Sequence, residues 1–254
     1  MQDTLNFKGH FKIQAIDQNN NVVDEWMDDN MIMESARTTM SELFANLQDS
    51  TFINKVTIGT MGHVGNSILV PKGKDDGFVK ERTRLFSEVP INPVSIGQTL
   101  PIVRKNDAMY IDATDNDKKG YYRFLAADVE NYVVNNVVIT DTSTWEFLGT
   151  TKPYSYSIGF SLPGTNATPG GTTATSITED DNGSGSTVKV QQSNTSVIFT
   201  FDIATAAANG QNETTSVFTE AALYANSRIF AMKTFKAKVK DSTVLLRIVW
   251  TITF

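Results

Sequence analysis

Val244-Leu245-Leu246-Arg247-Ile248-Val249-Trp250-Thr251-Ile252-Thr253-Phe254 carries the longest alternating row in the chain. Val244, Leu246, Ile248, Trp250, Ile252 and Phe254 recur at period two, so all of them project from one face of an extended strand. A strand with one packed face explains such a row. Left exposed, the same row would be a sticky, aggregation-prone edge, so the stretch is expected to be built into a sheet.

Working outward, the same period returns. Tyr154, Tyr156, Ile158, Phe160 and Leu162 share one face, with Ser155, Ser157, Gly159 and Ser161 on the other. Val197, Phe199, Phe201 and Ile203 repeat the pattern. Near the start, Phe7, Phe11, Ile13 and Ala15 alternate with Lys8, His10, Lys12 and Gln14. Asn19-Asn20-Asn21 suits a turn, because Asn tolerates positive φ. Val22-Val23-Asp24-Glu25-Trp26 then returns, which predicts a hairpin over 7–27. Phe52 to Gly59 reads as a strand, and shorter pieces follow at 83–89, 99–104, 108–113, 120–128, 131–139 and 145–149. Many short strands at this spacing suggest a sandwich or barrel.

One stretch has helical period. Met33, Ala36, Met40, Leu43, Phe44 and Leu47 fall three and four apart, predicting a helix over 30–48 with Asp28, Asp29 and Asn30 as caps. No comparable helices follow, which argues against a βαβ architecture. The expected fold is mainly β: an antiparallel β-sandwich or jelly-roll-like arrangement with one long helix near the N-terminus and extended loops. Residues 1–60 would hold the hairpin and helix. Residues 61–254 would form the sandwich core, either as a second unit or as one continuous domain. Flexible insertions are expected at the Gly-rich 59–77 and the Thr/Ser/Gly-rich 163–186, where apolar residues are too few to order the chain alone. The second is the candidate for contact with a neighbouring subunit.

Composition excludes several functions. The formal net charge of -6 argues against a nucleic-acid grip, which needs clustered Lys and Arg to displace counterions. With no cysteine, disulfides, thiolate nucleophiles and Cys-zinc sites are ruled out. The apolar runs are far shorter than the roughly 20 residues of a membrane-spanning helix. Met1-Gln2-Asp3-Thr4 opens without the basic and apolar regions of a secretion signal.

Catalytic patterns are equally sparse. The glycines of 59–77 match neither GxGxxG nor GxxxxGK[ST]. The only histidines are His10, in the polar row of a strand, and His63, in the Gly-rich loop, and no GxSxG elbow presents a serine. Asp115-Asn116-Asp117-Lys118-Lys119-Gly120 resembles the start of a calcium loop, but Lys119 stands at the fifth position and Ala126 where a bidentate Glu belongs. A turn between strands 108–113 and 120–128 explains it better. Glu179-Asp180-Asp181-Asn182-Gly183 is a weak cation candidate. The Asn-x-Ser/Thr sequons at Asn166, Asn182, Asn194 and Asn212 fit a Thr/Ser/Asn-rich background. Trp26, Trp145 and Trp250 read as core or interface anchors. No catalytic, cofactor or metal residue is assigned, and the chain is expected not to be an enzyme.

Two stretches carry a resemblance. Phe218-Thr219-Glu220-Ala221-Ala222-Leu223-Tyr224, then Ile229 to Phe235, then Lys240-Asp241-Ser242-Thr243 and the closing Trp250-Thr251-Ile252-Thr253-Phe254, resemble the ending of tailed-bacteriophage virion proteins: E-A-x-L-Y, A-x-K/R-x-F, a lysine turn and W-x-I-x-F. Ile53-Asn54-Lys55-Val56-Thr57-Ile58-Gly59-Thr60 with Arg82-Thr83-Arg84-Leu85-Phe86-Ser87-Glu88 resembles the i-x-x-i-x-i-G-x-G and R-x-x-x-x-E arrangement of the same proteins, with Met61-Gly62 departing slightly from it. The resemblance covers under half of the chain. It implies a neck, collar, tail or fibre-adaptor subunit, assembled in the host cytoplasm into the virion. Its partners would be copies of itself and other virion proteins, with no membrane, no sequence-specific nucleic acid and no small-molecule substrate. A receptor- or glycan-binding module is the alternative. Tyr154 and Tyr156 in a regular strand row favour the first.

Overall fold

A computed structural model describes residues 7–44, 53–71, 81–136, 138–160, 175–179, 184–210 and 215–253. The chain is mainly β. Its principal sheet uses β1 (Lys8–Ile16), β2 (Val22–Ile32), β3 (Ile53–Gly59), β12 (Ser155–Gly159), β13 (Thr175–Glu179), β14 (Thr187–Gln192), β15 (Ser196–Ile203), β16 (Thr215–Ala225), β17 (Arg228–Asp241) and β18 (Leu245–Thr253). The strand order is β12-β3-β16-β17-β2-β1-β18-β15-β14-β13, and the pairings are antiparallel.

The sheet curls on itself at one corner, where β17 meets β2 through Ala231 opposite Ile32 and Met232 opposite Met31. Its two halves therefore face each other like a sandwich, and the inward-pointing rows fill the space between. Phe160 after β12 meets Phe201 of β15 at 5.6 Å between ring centroids, and Phe11 of β1 stacks on Phe235 of β17 at 5.2 Å. The C-terminal row lands here: Leu246, Ile248, Trp250 and Ile252 are all buried, and β18 is paired on both sides, to β1 and to β15.

β16 is buried on both faces. A bulge between Phe218 and Glu220 shifts the alternation, so Phe218, Ala221 and Leu223 face the main core. Ala222 and Tyr224 face a further layer containing Met33, Met61, Leu85, Phe86 and Ile229. Beyond that layer lies a smaller sheet, β11-β9-β8-β6, made of β6 (Val94–Ser95), β8 (Ala108–Asp112), β9 (Gly120–Phe124) and β11 (Trp145–Gly149). With the pair β7 (Thr99–Val103) and β10 (Val129–Val133), it encloses its own core of Val94, Val103, Met109, Ile111, Phe124 and Trp145.

Several expectations are corrected. The helix α1 spans Glu34–Phe44, and residues 45–48 lie outside the described ones. Residues 30–32 are strand, because β2 continues its ladder with β1 through Asn30 and then reaches β17. Asp28 and Asp29 are thus strand residues; the carboxylate of Glu81 instead accepts the N–H groups of Glu34 and Ser35 at the helix start. Residues 83–89 are irregular with a turn at 86–87, since side-chain carboxylates satisfy the N–H groups of Leu85, Phe86 and Ser87 in place of a neighbouring strand. The strand expected at 131–139 stops at Val133, and Val138–Thr140 is a 3-10 helix. Within 59–77, β4 (His63–Val64) and β5 (Ser67–Ile68) make a short hairpin, and 72–77 lies outside the described residues. Within 163–186, β13 pairs with β14; 163–174 and 180–183 lie outside.

Candidate functional site

The most concentrated polar chemistry among the described residues lies against the outer face of β16. Glu220 sits mid-strand, fully buried, opposite Gly59 at the end of β3. Its carboxylate accepts the N–H groups of Phe86 and Ser87, each at 2.8 Å, and that of Met61 at 3.3 Å. Burial pushes the Glu220 pKa up, opposed by the Ser87 side chain, by the N–H groups of Phe86 and Ser87, and by the charge of Arg82. One residue earlier, Thr219 Oγ1 accepts the N–H of Gly62 at 2.8 Å. The strand thereby takes up backbone donors from two separate loops.

Tyr224, further along β16, donates its hydroxyl to Glu88, and the same Glu88 oxygen accepts the N–H of Leu85 at 2.8 Å. Burial, and then the neighbouring Glu88 carboxylate, raise the Tyr224 pKa well above its ordinary value. Lys55 Nζ stands 4.1 Å from the centre of the same ring. Arg82 lies over the Phe86 ring at 3.9 Å and reaches Asp107 Oδ1 at 2.8 Å and the Lys105 carbonyl at 3.2 Å. Arg84 binds the other Asp107 oxygen at 3.1 Å. Asp107 sits in the β7–β8 turn, so this ion pair fastens the smaller sheet to the loop that Glu220 holds. The adjoining crevice, between Val70, Arg82, Phe86, Arg104, Lys105, Asn106 and Asp128, has about 30 Å³, room for no more than a few waters.

This arrangement can bind chain to chain. Its carboxylates are occupied by backbone amides and guanidinium groups, a pattern suited to fixing loops onto a sheet.

The histidines and acidic clusters weighed from sequence make their hydrogen bonds and ion pairs elsewhere. His10 lies exposed on the outer face of β1, with Nδ1 2.6 Å from Asp29 Oδ1. His63 is on β4, with Nε2 2.9 Å from the Phe235 carbonyl oxygen. Residues 115–120 are the β8–β9 connection, with Lys118 paired to Asp115 at 2.8 Å and Lys119 to Asp112 at 3.1 Å. Of the 179–183 segment, Glu179 ends β13 and the rest lies outside the described residues, as do Asn166, Asn182 and Asn212. Asn194 is in the β14–β15 turn. Trp145 and Trp250 are buried, and Trp26 packs partly buried beside Phe11 and Phe235. Among the described residues, no group of three or more His, Asp or Glu is placed to hold a metal ion, and no helix is long and apolar enough to cross a membrane.

Sequence reasoning missed Asp107, Glu81 and the buried lysines Lys238 and Lys240. Lys240 Nζ donates to Asn209 Oδ1 at 2.6 Å, to the Asp241 carbonyl at 2.8 Å and to the Thr205 carbonyl at 3.0 Å. The alternating lysines of 236–240 signal a strand, but not which face is buried. No family model matches the chain, nor does any curated protein or solved structure.

Proposed function

We propose that the chain is a non-enzymatic structural subunit of a tailed-bacteriophage virion, of the neck, collar, tail or fibre-adaptor kind. It assembles in the host cytoplasm with copies of itself and with other virion proteins. One observation supports this reading above the rest. The stretches that carry the resemblance, 53–60, 82–88 and 218–224, are far apart in sequence and meet in one buried tie. Gly59 supplies space, Glu220 accepts the N–H groups of the second stretch, and Tyr224 holds Glu88. The resemblance thus falls on interdependent parts of a single structural element. The alternative of a sugar-binding module is less supported, because Tyr154 and Tyr156 pack against the main core.

Peptide mass spectrometry of gradient-purified particles from the producing host tests the proposal. The chain should appear at a fixed stoichiometry relative to the major capsid protein. Abundance in the lysate with absence from the particles would overturn it.

A further inference from the structure

β2 is held differently along its two edges. Toward β1 it runs an antiparallel ladder from Val22 to Asn30. Toward β17, among the described residues, the ladder is confined to Met31 and Ile32. Along the rest of that side, ion pairs take over. Asp24 Oδ2 lies 2.6 Å from Lys238 Nζ, and Asp28 Oδ2 lies 2.8 Å from Lys233 Nζ. Lys233 also donates to the Asp29 carbonyl at 2.5 Å and stands 5.3 Å from the Trp26 ring centre. On the outer face, Glu25 is 3.5 Å from Lys12 and accepts the Gln14 amide at 2.5 Å, and Asp29 faces His10. Asp24, Glu25 and Asp28 therefore each meet a lysine of β1 or β17, Asp29 meets an imidazole, and Val22–Ile32 contains no Lys or Arg of its own.

Apolar burial adds little to this hold. Val22, Val23 and Met27 are 50%, 58% and 62% exposed, and Trp26 is the strand's main contribution to the core. Lys238 is fully buried while its partner Asp24 is half-exposed. The closed seam keeps an ammonium group out of water, so it depends on the pair that compensates it.

We infer that β2 is an ion-latched flap: loss of the Asp24–Lys238 and Asp28–Lys233 pairs lets it part from β17 while β1, β18 and the remaining strands stay folded. Opening solvates Lys238 and uncovers Trp26, Phe11 and Phe235.

Hydrogen exchange of the full chain, read by mass spectrometry, tests this at about 0.01 M and about 1 M sodium chloride, where the Debye length falls from roughly 30 Å to roughly 3 Å. The amides that cross the seam, those of 31–33 and 231–232, should exchange about tenfold faster at high salt, with those from β18 unchanged, as expected for local opening. The double variant Asp24→Asn/Asp28→Asn should exchange fast at these amides at both salts. Exchange of 31–33 that ignores salt in the natural chain, or that tracks β18 at both salts, would overturn the inference without requiring that the variant fold.

Discussion

Gly59 stands directly opposite Glu220 in the β3–β16 ladder, and its missing side chain leaves room for the loop that the carboxylate holds. A Cβ at Gly59 would fall 1.9 Å from Ser87 Oγ and 2.7 Å from Glu220 Oε1. The glycine is required for space and not for an unusual φ. Gly59→Ala should therefore push Ser87 and the Glu220 carboxylate apart, at a cost of about 1–3 kcal/mol. Chemical denaturation reads the loss as a lower midpoint. An unchanged midpoint would mean that residues 81–88 are not docked as described.

What was legible in the sequence was whatever depended on period. The inward rows of β1, β12, β15 and β18 fall where alternation places them, because a packed face demands it at every second residue. Boundaries decided by partners were not legible. Residues 30–32 have helical neighbours in sequence, but a strand on either side draws them into the sheet. Leu85 and Phe86 look like strand residues because they are apolar and buried; their backbone donors, however, are satisfied by Glu88 and Glu220, the latter 134 residues away from Phe86. The buried tie was visible only as a resemblance, since no local pattern tells a buried Glu on a doubly covered strand from an exposed one.

The Asp24–Lys238 pair offers a stability test separate from exchange. Asp24→Ala leaves the buried Lys238 ammonium without its carboxylate. The penalty should stay below the roughly 3–5 kcal/mol of breaking a fully buried pair, because Asp24 is half-exposed. Replacing the lysine as well, in Asp24→Ala/Lys238→Met, should recover part of the loss by removing the stranded charge. A double variant less stable than Asp24→Ala would show that the lysine stem, and not its charge, matters here.

Lys240 should make stability rise with pH above neutrality. Burial lowers its pKa to about 8, below the 10.5 of an unburied lysine. Between these values the unfolded chain binds more protons than the folded one, so stability increases as pH rises. Above about 10 the part-buried tyrosines act oppositely, since Tyr122, Tyr132 and Tyr154 hold their protons more tightly when folded. The clean window is therefore pH 8 to about 9.5. Denaturation midpoints should climb across it in the natural chain and much less in Lys240→Met. Equal slopes in the two proteins would assign the effect elsewhere.

Trp250 distinguishes packing from hydrogen bonding at the centre of the main core. It lies between Phe11 of β1 and Phe199 of β15 in the strand register, is fully buried, and meets the Phe11 ring edge-on at 4.8 Å. Its indole Nε1 is buried without a hydrogen-bond partner. Truncation in Trp250→Ala removes the ring and leaves a cavity where the two halves of the main sheet meet, which typically costs about 3–5 kcal/mol. Trp250→Phe keeps most of the apolar volume and deletes an N–H that gains nothing in the folded state. Its cost should be only about 1–2 kcal/mol, because the unsatisfied donor is itself a burden on folding. Thermal and chemical denaturation of both variants gives the ranking. If Trp250→Phe were as damaging as Trp250→Ala, the N–H would have to make a bond in the assembled core, and stability there would depend on that polar contact more than on ring packing.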